Sequence, residues 1–438
     1  MSSVAVIGIG YVGLVTAVCF AEMGHTVICI DVDKEKISAL QQQKIPIYEI
    51  GLDELLKKNA SRITFTTDYS VLSTTPDAVF IAVGTPQQED GSAYLEYFFK
   101  AAEQVADHIT QYTLIVNKST VPIGTSQKVR KLVSERLALK NKTFDFDVVS
   151  NPEFLREGTS IYDFMHPDRI IAGTASQKAF ECISVIYKPL TDQGYEIVSC
   201  DNTTAETIKY AANAFLAVKI SFINEISALC DCIHADVSKV AYGIGKDPRI
   251  GTAFLQAGPG YGGSCFPKDT RALCSIACEQ NVELSLVRSA IQVNLDHKRR
   301  ICNKIEAAFE GNLAGKRIAL LGLAFKKNTD DIRSSPALAV ADFLYENNAK
   351  IVAYDPAAMS NAKNGHFSDM EIEYAANEYD AAINADAVVI MTEWDVFKNI
   401  DMRSLKESMS GDLLFDFRNL FQRKDMEKLG FRYYCVGR

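Results

Sequence analysis

Residues 4–33, VAVIGIGYVGLVTAVCFAEMGHTVICIDVD, decide the fold. An apolar run ends in a glycine turn, an amphipathic helical stretch follows from Tyr11, and a second apolar run closes at Asp31. This is a βαβ unit of about 30 residues, the setting in which Gly8-x-Gly10-x-x-Gly13 carries meaning. The three glycines tighten the turn, expose backbone N–H groups to a pyrophosphate and let the helix pack on its strand. Asp31 at the end of the second strand accepts hydrogen bonds from a ribose diol and repels a 2′-phosphate, so NAD is favoured over NADP. A lone glycine fingerprint is weak, but here strand, helix, second strand and acid coincide.

Outward from this unit, short apolar runs recur in DAVFIAVGTP (77–86), YTLIVNKSTVP (112–122) and FDVVSNPEF (146–154), with helical stretches between them. Such alternation indicates a parallel sheet covered by helices on both faces. From residue 316 the pattern returns in KRIALLGLAFKKNTDDIRSSPALAVADFLYENNAKIVAYDP, again ending in an acid, Asp355, and DAVVIMTEWD (386–395) echoes residues 77–86. The second loop lacks the glycine fingerprint and carries Lys326, Lys327 and Arg333, so it is expected to bind something other than a dinucleotide. Between the halves, residues 203–236 place Ile208, Ala212, Phe215, Phe222, Ile226, Leu229 and Ile233 at helical spacing, with Asp236 expected to end the helix. The expected fold is α/β, two Rossmann-like doubly wound parallel-sheet domains joined by a central helical domain with one long helix. The boundaries are 1–200 for the NAD-binding domain, 201–308 for the helical dimerisation domain and 309–438 for the C-terminal domain. A helix of that length packs against a partner or both neighbours, and a homodimer through it is expected.

The chain has 438 residues, enough for two or three domains. Its net charge of −9 argues against nucleic acid, leaving a small anionic ligand open if basic residues gather locally. No apolar run reaches the roughly 18 residues of a membrane span, and MSSVAVIGIG reads as a first strand, not a signal peptide. Eleven cysteines, an odd number, suggest reduced thiols in a cytoplasm. Cys19, Cys29, Cys230 and Cys302 fall on apolar faces, and no cysteine spacing fits a zinc pattern, so no metal is expected.

Three further stretches carry chemistry. In NPEFLREG (151–158), Glu153 and Glu157 follow a strand end; spacing alone fits proton transfer or a solvated helix start equally. Lys209 and Asn213 share a helix face, where they could stabilise a developing oxyanion, although by spacing alone a solvated face is the commoner case. In GPGYGGSCFPKD (258–269), glycines bare the backbone beside Cys265, and Lys268 and Asp269 follow within a turn. A nearby cation or helix N-terminus favours thiolate, and an acid could position water, so Cys265 reads as a nucleophile more readily than as a buried structural cysteine.

Taken together and in order, GIGYVG, VGTP, STVPIGT, NPEFLREG, the helix with Lys209 and Asn213, GPGYGGSCFPKD and GLAFKKNTDDIRSSP resemble the UDP-glucose/GDP-mannose dehydrogenase family over nearly the whole chain. PGYGGSCFPKD and TEWDVF are more similar to its UDP-glucose branch than to its GDP-mannose branch. UDP-N-acetylmannosamine members often have histidine where this chain has Ser264. The resemblance implies NAD-dependent four-electron oxidation of UDP-glucose to UDP-glucuronate, with Cys265 holding a thiohemiacetal and then a thioester. It implies Asp269 for the water, Lys209 and Asn213 for the oxyanions, and Thr120 and Glu153 for water and protons. For the cofactor it implies Gly8, Gly10, Tyr11, Val12, Gly13, Asp31, Lys36, Thr85, Ser119, Thr120, Glu157, Lys268 and, from the C-terminal half, Arg333. For the substrate it implies Glu153, Phe154, Leu155, Arg156, Lys209, Asn213, Phe254, Leu255, Gly262 and Lys326, with Arg249 reaching across the dimer.

Overall fold

The computed structural model describes residues 1–74, 76–88 and 90–438, and the chain divides into two compact units, Met1–Ala212 and Asn213–Arg438. In the first unit the apolar runs form β1 (Ser3–Ile7), β2 (Thr26–Ile30), β3 (Ile63–Thr66), β4 (Ala78–Ile81), β5 (Thr113–Asn117) and β6 (Phe146–Ser150), extended by β7 (Ile170–Gly173) and β8 (Ile197–Cys200). The sheet order is β3-β2-β1-β4-β5-β6-β7-β8. Alternate side chains of β1 go to opposite faces: Val4 and Val6 join one core with Leu14 and Phe20, while Ala5 and Ile7 join another with Phe98 and Val129. Burial on both faces explains why these strands read as continuous apolar runs. The first six strands are parallel; β7 meets β6 antiparallel through the single pair Ser150–Gly173 and then carries β8 in parallel.

In the second unit β9 (Arg317–Leu321), β10 (Lys350–Tyr354), β11 (Ile372–Tyr374), β12 (Ala387–Ile390), β13 (Leu413–Asp416) and β14 (Arg432–Cys435) form a wholly parallel sheet in the order β11-β10-β9-β12-β13-β14. This repeats the order of the first six strands. The duplication extends to Gly322, with φ +93°, where a Cβ would lie 2.5 Å from Thr392. Gly8, with φ +88° and Val83 at 2.7 Å, has the same need, so the first fingerprint glycine survives in the second copy while the other two do not.

Asp355 shows why the second copy differs. Its Oδ2 accepts from the N–H groups of Leu323 and Ala324 and from Trp394 Nε1, and its Oδ1 from those of Ala357 and Ala358. Five donors fill a carboxylate that has about four lone-pair sites. Asp31, by contrast, takes Ile9 N–H, Asp33 N–H and the Lys36 ammonium.

The long helix spans Asn202–Ile233, 32 residues. Its apolar stripe is largely on the outside: Phe215, Phe222, Leu229 and Ile233 are exposed, whereas Glu206, Lys209, Asn213, Ser221, Asn224 and Ser227 are buried. Asp236 does not end this helix. It lies three residues beyond and caps the next one, Val237–Gly245, its carboxylate accepting from Ser238 N–H. Among the described residues no helix is long and apolar enough to cross a membrane and no cluster of potential metal ligands occurs.

Candidate active site

The dinucleotide loop follows β1 at the C-terminal edge of the sheet. A Cβ on Gly13 would lie 1.9 Å from Gly8 O, whereas one on Gly10 would meet nothing within 4 Å. The first glycine and the last are therefore required by packing, and the middle one leaves an open approach to the backbone. The helix Tyr11–Glu22 begins there with no acidic residue in its first turn, so its N-terminal partial charge is available to an anion. Asp31 is 7% exposed. These features fit NAD: a pyrophosphate at the helix start and a ribose at the acid. Thr85 donates from Oγ1 to Thr120 O at 2.9 Å, and Ser119 from Oγ to Val83 O at 2.7 Å, tying the loops after β4 and β5 together. Val12 is half-buried, and Tyr11 OH bonds to Glu49, to Ser160 Oγ and to Gly158 N–H. Burial, then the hydrogen bond to Glu49, pushes the Tyr11 phenol well above its ordinary pKa.

In the loop after β6 the two carboxylates of NPEFLREG separate, because residues 151–156 are not helical. Glu153 is buried and Glu157 is half-buried. Lys209 Nζ donates to Glu153 Oε1 at 2.9 Å and to Glu153 O at 2.6 Å, in an ion pair whose side chains are only 5% and 6% exposed. The expectation of a solvated helix face for Lys209 is therefore excluded. Burial pushes Glu153 towards protonation, but the Lys209 charge and hydrogen bond, Leu155 N–H and the Lys118 charge outweigh it and hold the carboxyl below its usual range. Phe154 lies under both Lys209 Nζ, 5.2 Å from the ring centre, and the Arg169 guanidinium, at 3.6 Å.

Cys265 is exposed and is the N-cap residue of the helix Phe266–Glu279, with Pro267 in the first turn. Its Sγ lies 3.6 Å from Ser264 Oγ. Asp269 is 1% exposed; its Oδ2 accepts from Asn213 Nδ2 at 2.6 Å and its Oδ1 from Lys268 Nζ at 2.6 Å. The lysine of this loop is thus bound to the acid, and the thiol stands at the N-terminal end of the helix without making a capping hydrogen bond. A Cβ on Gly262 would fall 2.4 Å from Ser334 O, and Gly263 N–H donates to Arg333 O at 2.7 Å, so the glycines admit a neighbouring backbone.

Other expected residues are less gathered. Arg156 is exposed and paired with Asp163, Arg249 is exposed and paired with Asp247, and Arg333 is paired with Asp331. Leu255 is buried, Phe254 has φ +63° with its ring 6.0 Å from that of Phe266, and Lys326 Nζ lies 5.5 Å from the Phe325 ring.

Two residues escaped the sequence reading. Lys118, 5% exposed, donates to Asn151 Oδ1 at 3.0 Å and Tyr187 OH at 3.3 Å, and burial lowers its pKa to about 8. It is the lysine of KSTVP, at a strand end. Arg418, just beyond β13, donates to Met391 O at 2.8 Å and Phe325 O at 2.7 Å beside Gly258. The C-terminal end of a parallel strand was the available signal for both.

Comparison with known proteins agrees with these features. Residues 2–191 match the NAD binding domain, 203–296 the central domain and 319–423 the UDP binding domain of the UDP-glucose/GDP-mannose dehydrogenase family. The chain is 47% identical to a UDP-glucose 6-dehydrogenase of Rhizobium meliloti, covering 99% of both proteins, and 45% identical to one of Bacillus subtilis, covering 100% of this chain and 98% of the other. A UDP-glucose dehydrogenase structure from Pyrobaculum islandicum superposes with a TM-score of 0.90 at 36% identity, covering 100% of this chain and 98% of that one. A UDP-D-ManNAc dehydrogenase from Pyrococcus horikoshii gives 0.87 at 27% identity, covering 100% and 99%. With its glycine loop, its buried Glu153–Lys209 pair and its exposed Cys265, the chain belongs to the UDP-glucose/GDP-mannose dehydrogenase family.

Proposed function

We propose that the chain converts UDP-glucose to UDP-glucuronate in two oxidations at C6, with Cys265 retaining the sugar between them. NAD, when bound, accepts a hydride from C6 in each oxidation. The observation that carries the covalent step is the exposed thiol at a helix N-terminus, four residues before an acid buried against Asn213 and Lys268.

The chain's own residues divide the work. In each oxidation the C6 oxygen passes its proton to a water held by Glu153 and Thr120 as the hydride leaves C6, and the ammonium of Lys209 and the amide of Asn213 stabilise the oxygen as it gains charge. Cys265 Sγ adds to the resulting carbonyl carbon, forming a C–S bond while the oxygen takes up a proton. The second oxidation leaves a thioester. Asp269 accepts a proton from water as its oxygen attacks; the C–S bond breaks and the electron pair returns to sulfur, a far better leaving group than an alkoxide. Glu153, kept ionised by Lys209, orients the water together with Thr120. The backbone at Gly8, Gly10 and Gly13 receives the pyrophosphate and Asp31 the ribose. The lysines and arginines of the second unit, Lys326 among them, supply cations for the nucleotide diphosphate.

The reading includes three domains, 1–200, 201–308 and 309–438, and a cytoplasmic homodimer. The exposed stripe of Phe215, Phe222, Leu229 and Ile233 supports the dimer, since a monomer would leave this face in water. Incubating the protein with NAD and a panel of nucleotide sugars tests the function. Two NADH per UDP-glucose are expected; turnover of GDP-mannose alone, or one NADH per sugar, would overturn it.

A further inference from the structure

Wholly within the first unit lies a cavity lined by Asn117, Thr120, Ser150, Glu206 and Lys209 among others. Its free volume of about 10 Å³ is that of a single water centre. Asn117 is 2% exposed, and its Oδ1 has no hydrogen-bond partner. Its amide orientation follows from the network: Nδ2 donates to Ser126 Oγ at 2.9 Å, and Ser126 Oγ in turn lies 2.6 Å from Glu206 Oε1. An amide turned the other way would set its oxygen against a hydroxyl already committed to the carboxylate. A buried acceptor without a partner is costly, and a cavity of this size beside it is the usual place for an ordered water.

Glu206, 4% exposed, is the other acceptor on the wall. Gly124 N–H donates to its Oε2 at 2.6 Å, and Ser126 N–H to its Oε1 at 2.9 Å. It lies three residues before Lys209 on the same helix, so the two share a face. Charge balance gives it a role. The ionisable groups lining the cavity are Glu206 and Lys209. The cation on this wall is matched by an anion only while Glu206 is ionised.

We propose that this cavity is a binding site for one water, fixed by Asn117 Oδ1, and that Glu206 is a positioning residue acting through that water on the Lys209 ammonium. The water donates one hydrogen to Asn117 and the other to the Glu206 carboxylate, and turns its lone pairs to the ammonium. Ionised Glu206 thereby adds a second anchor to Lys209 beside the Glu153 pair, and protonated Glu206 removes that anchor while the Glu153 pair remains. Burial, only partly offset by the bonds from Ser126, Gly124 and Ser150, raises the Glu206 pKa, so the transition comes at higher pH than for an ordinary glutamate. The role of Glu206 rests on the function proposed above for Lys209, whereas the water site does not.

The water is tested on the unmodified chain by a ligand-free crystal structure at high resolution. A peak about 3 Å from Asn117 Oδ1 is expected, and a cavity closed by Asn117 or without density there overturns the site. The role of Glu206 is tested by the pH dependence of kcat in Glu206→Gln and Glu206→Asp. In Glu206→Gln, kcat is expected to fall on the order of tenfold, with KM for UDP-glucose within about twofold and the acid limb belonging to Glu206 gone; Glu206→Asp restores the limb. A glutamine variant that melts earlier yet keeps the parent pH profile overturns the role. Absence of UDP-glucose turnover by the unmodified chain would instead remove the functional reading and leave the diffraction result standing.

Discussion

Replacing Lys209 with methionine removes the cation 2.9 Å from Glu153 Oε1, in a pair whose side chains are 5% and 6% exposed. Breaking a buried ion pair from one side costs about 3–5 kcal/mol, because the remaining charge is stranded. Lys118 also favours ionised Glu153 and keeps the loss near the lower end, about 3 kcal/mol. For a unit of this size each kcal/mol moves the midpoint by about 2–4 °C, so Tm at pH 7 should fall by about 6–12 °C. The pH dependence separates this cause from lost packing. In the parent the folded-state pKa of Glu153 is depressed, so its contribution is present above the unfolded value of about 4.3 and is lost as pH falls through the folded one. In the variant burial dominates and the folded pKa is raised, so the penalty grows as pH rises above about 4.3. Calorimetry of both proteins from about pH 4.5 to 8 should show a small Tm gap at the acid end that widens towards neutrality. The double variant K209M/E153Q should recover most of the loss. A K209M protein with the parent Tm at pH 7, or a gap constant with pH, refutes the reasoning.

Other outcomes follow from single contacts. Asp269→Asn removes the proton acceptor proposed above and the carboxylate 2.6 Å from the Lys268 ammonium; turnover should fall by roughly 10²–10⁴, and intact-mass spectrometry should detect sugar nucleotide on Cys265. Gly13→Ala sets a methyl 1.9 Å from Gly8 O, so NAD affinity measured by calorimetry should fall below detection or the protein should lose stability, and an unchanged Kd would contradict the packing argument. Phe222→Asp, at a residue itself 47% exposed in the isolated chain, should convert the proposed dimer to monomer in sedimentation with little loss of monomer stability.

The opening βαβ unit was legible because every component, strand, turn, helix and acid, is contiguous in the chain. The repeat from residue 316 was legible for the same reason, except that the loss of two glycines concealed the retention of Gly322. The site was harder. Glu153 meets Lys209, and Asn213 meets Asp269, across 56 residues in each case, and no spacing rule joins groups so far apart. The long helix also mixes the two kinds of residue: Phe215, Phe222, Leu229 and Ile233 of its apolar stripe are exposed, while its buried face carries Glu206, Lys209 and Asn213 among apolar residues such as Tyr210 and Ile223. Hydrophobic periodicity therefore found the helix but could not show which face does chemistry. Resemblance to the family supplied Lys209 and Asn213, while Glu206 is picked out only by the cavity it lines and Lys118 only by its burial and its charge near Glu153.

The five-donor Asp355 has a consequence for redesign. Restoring glycine at Ala324 and Lys327 would rebuild the fingerprint of the first copy on an identical strand order, yet the acid would still have no lone pair to offer a ribose. The two copies are not interchangeable by loop grafting. Converting the second into a dinucleotide binder requires first withdrawing Trp394 Nε1 and re-routing the backbone at Leu323 and Ala324, so the divergence of the halves is fixed in hydrogen bonds below the loop rather than in the loop itself.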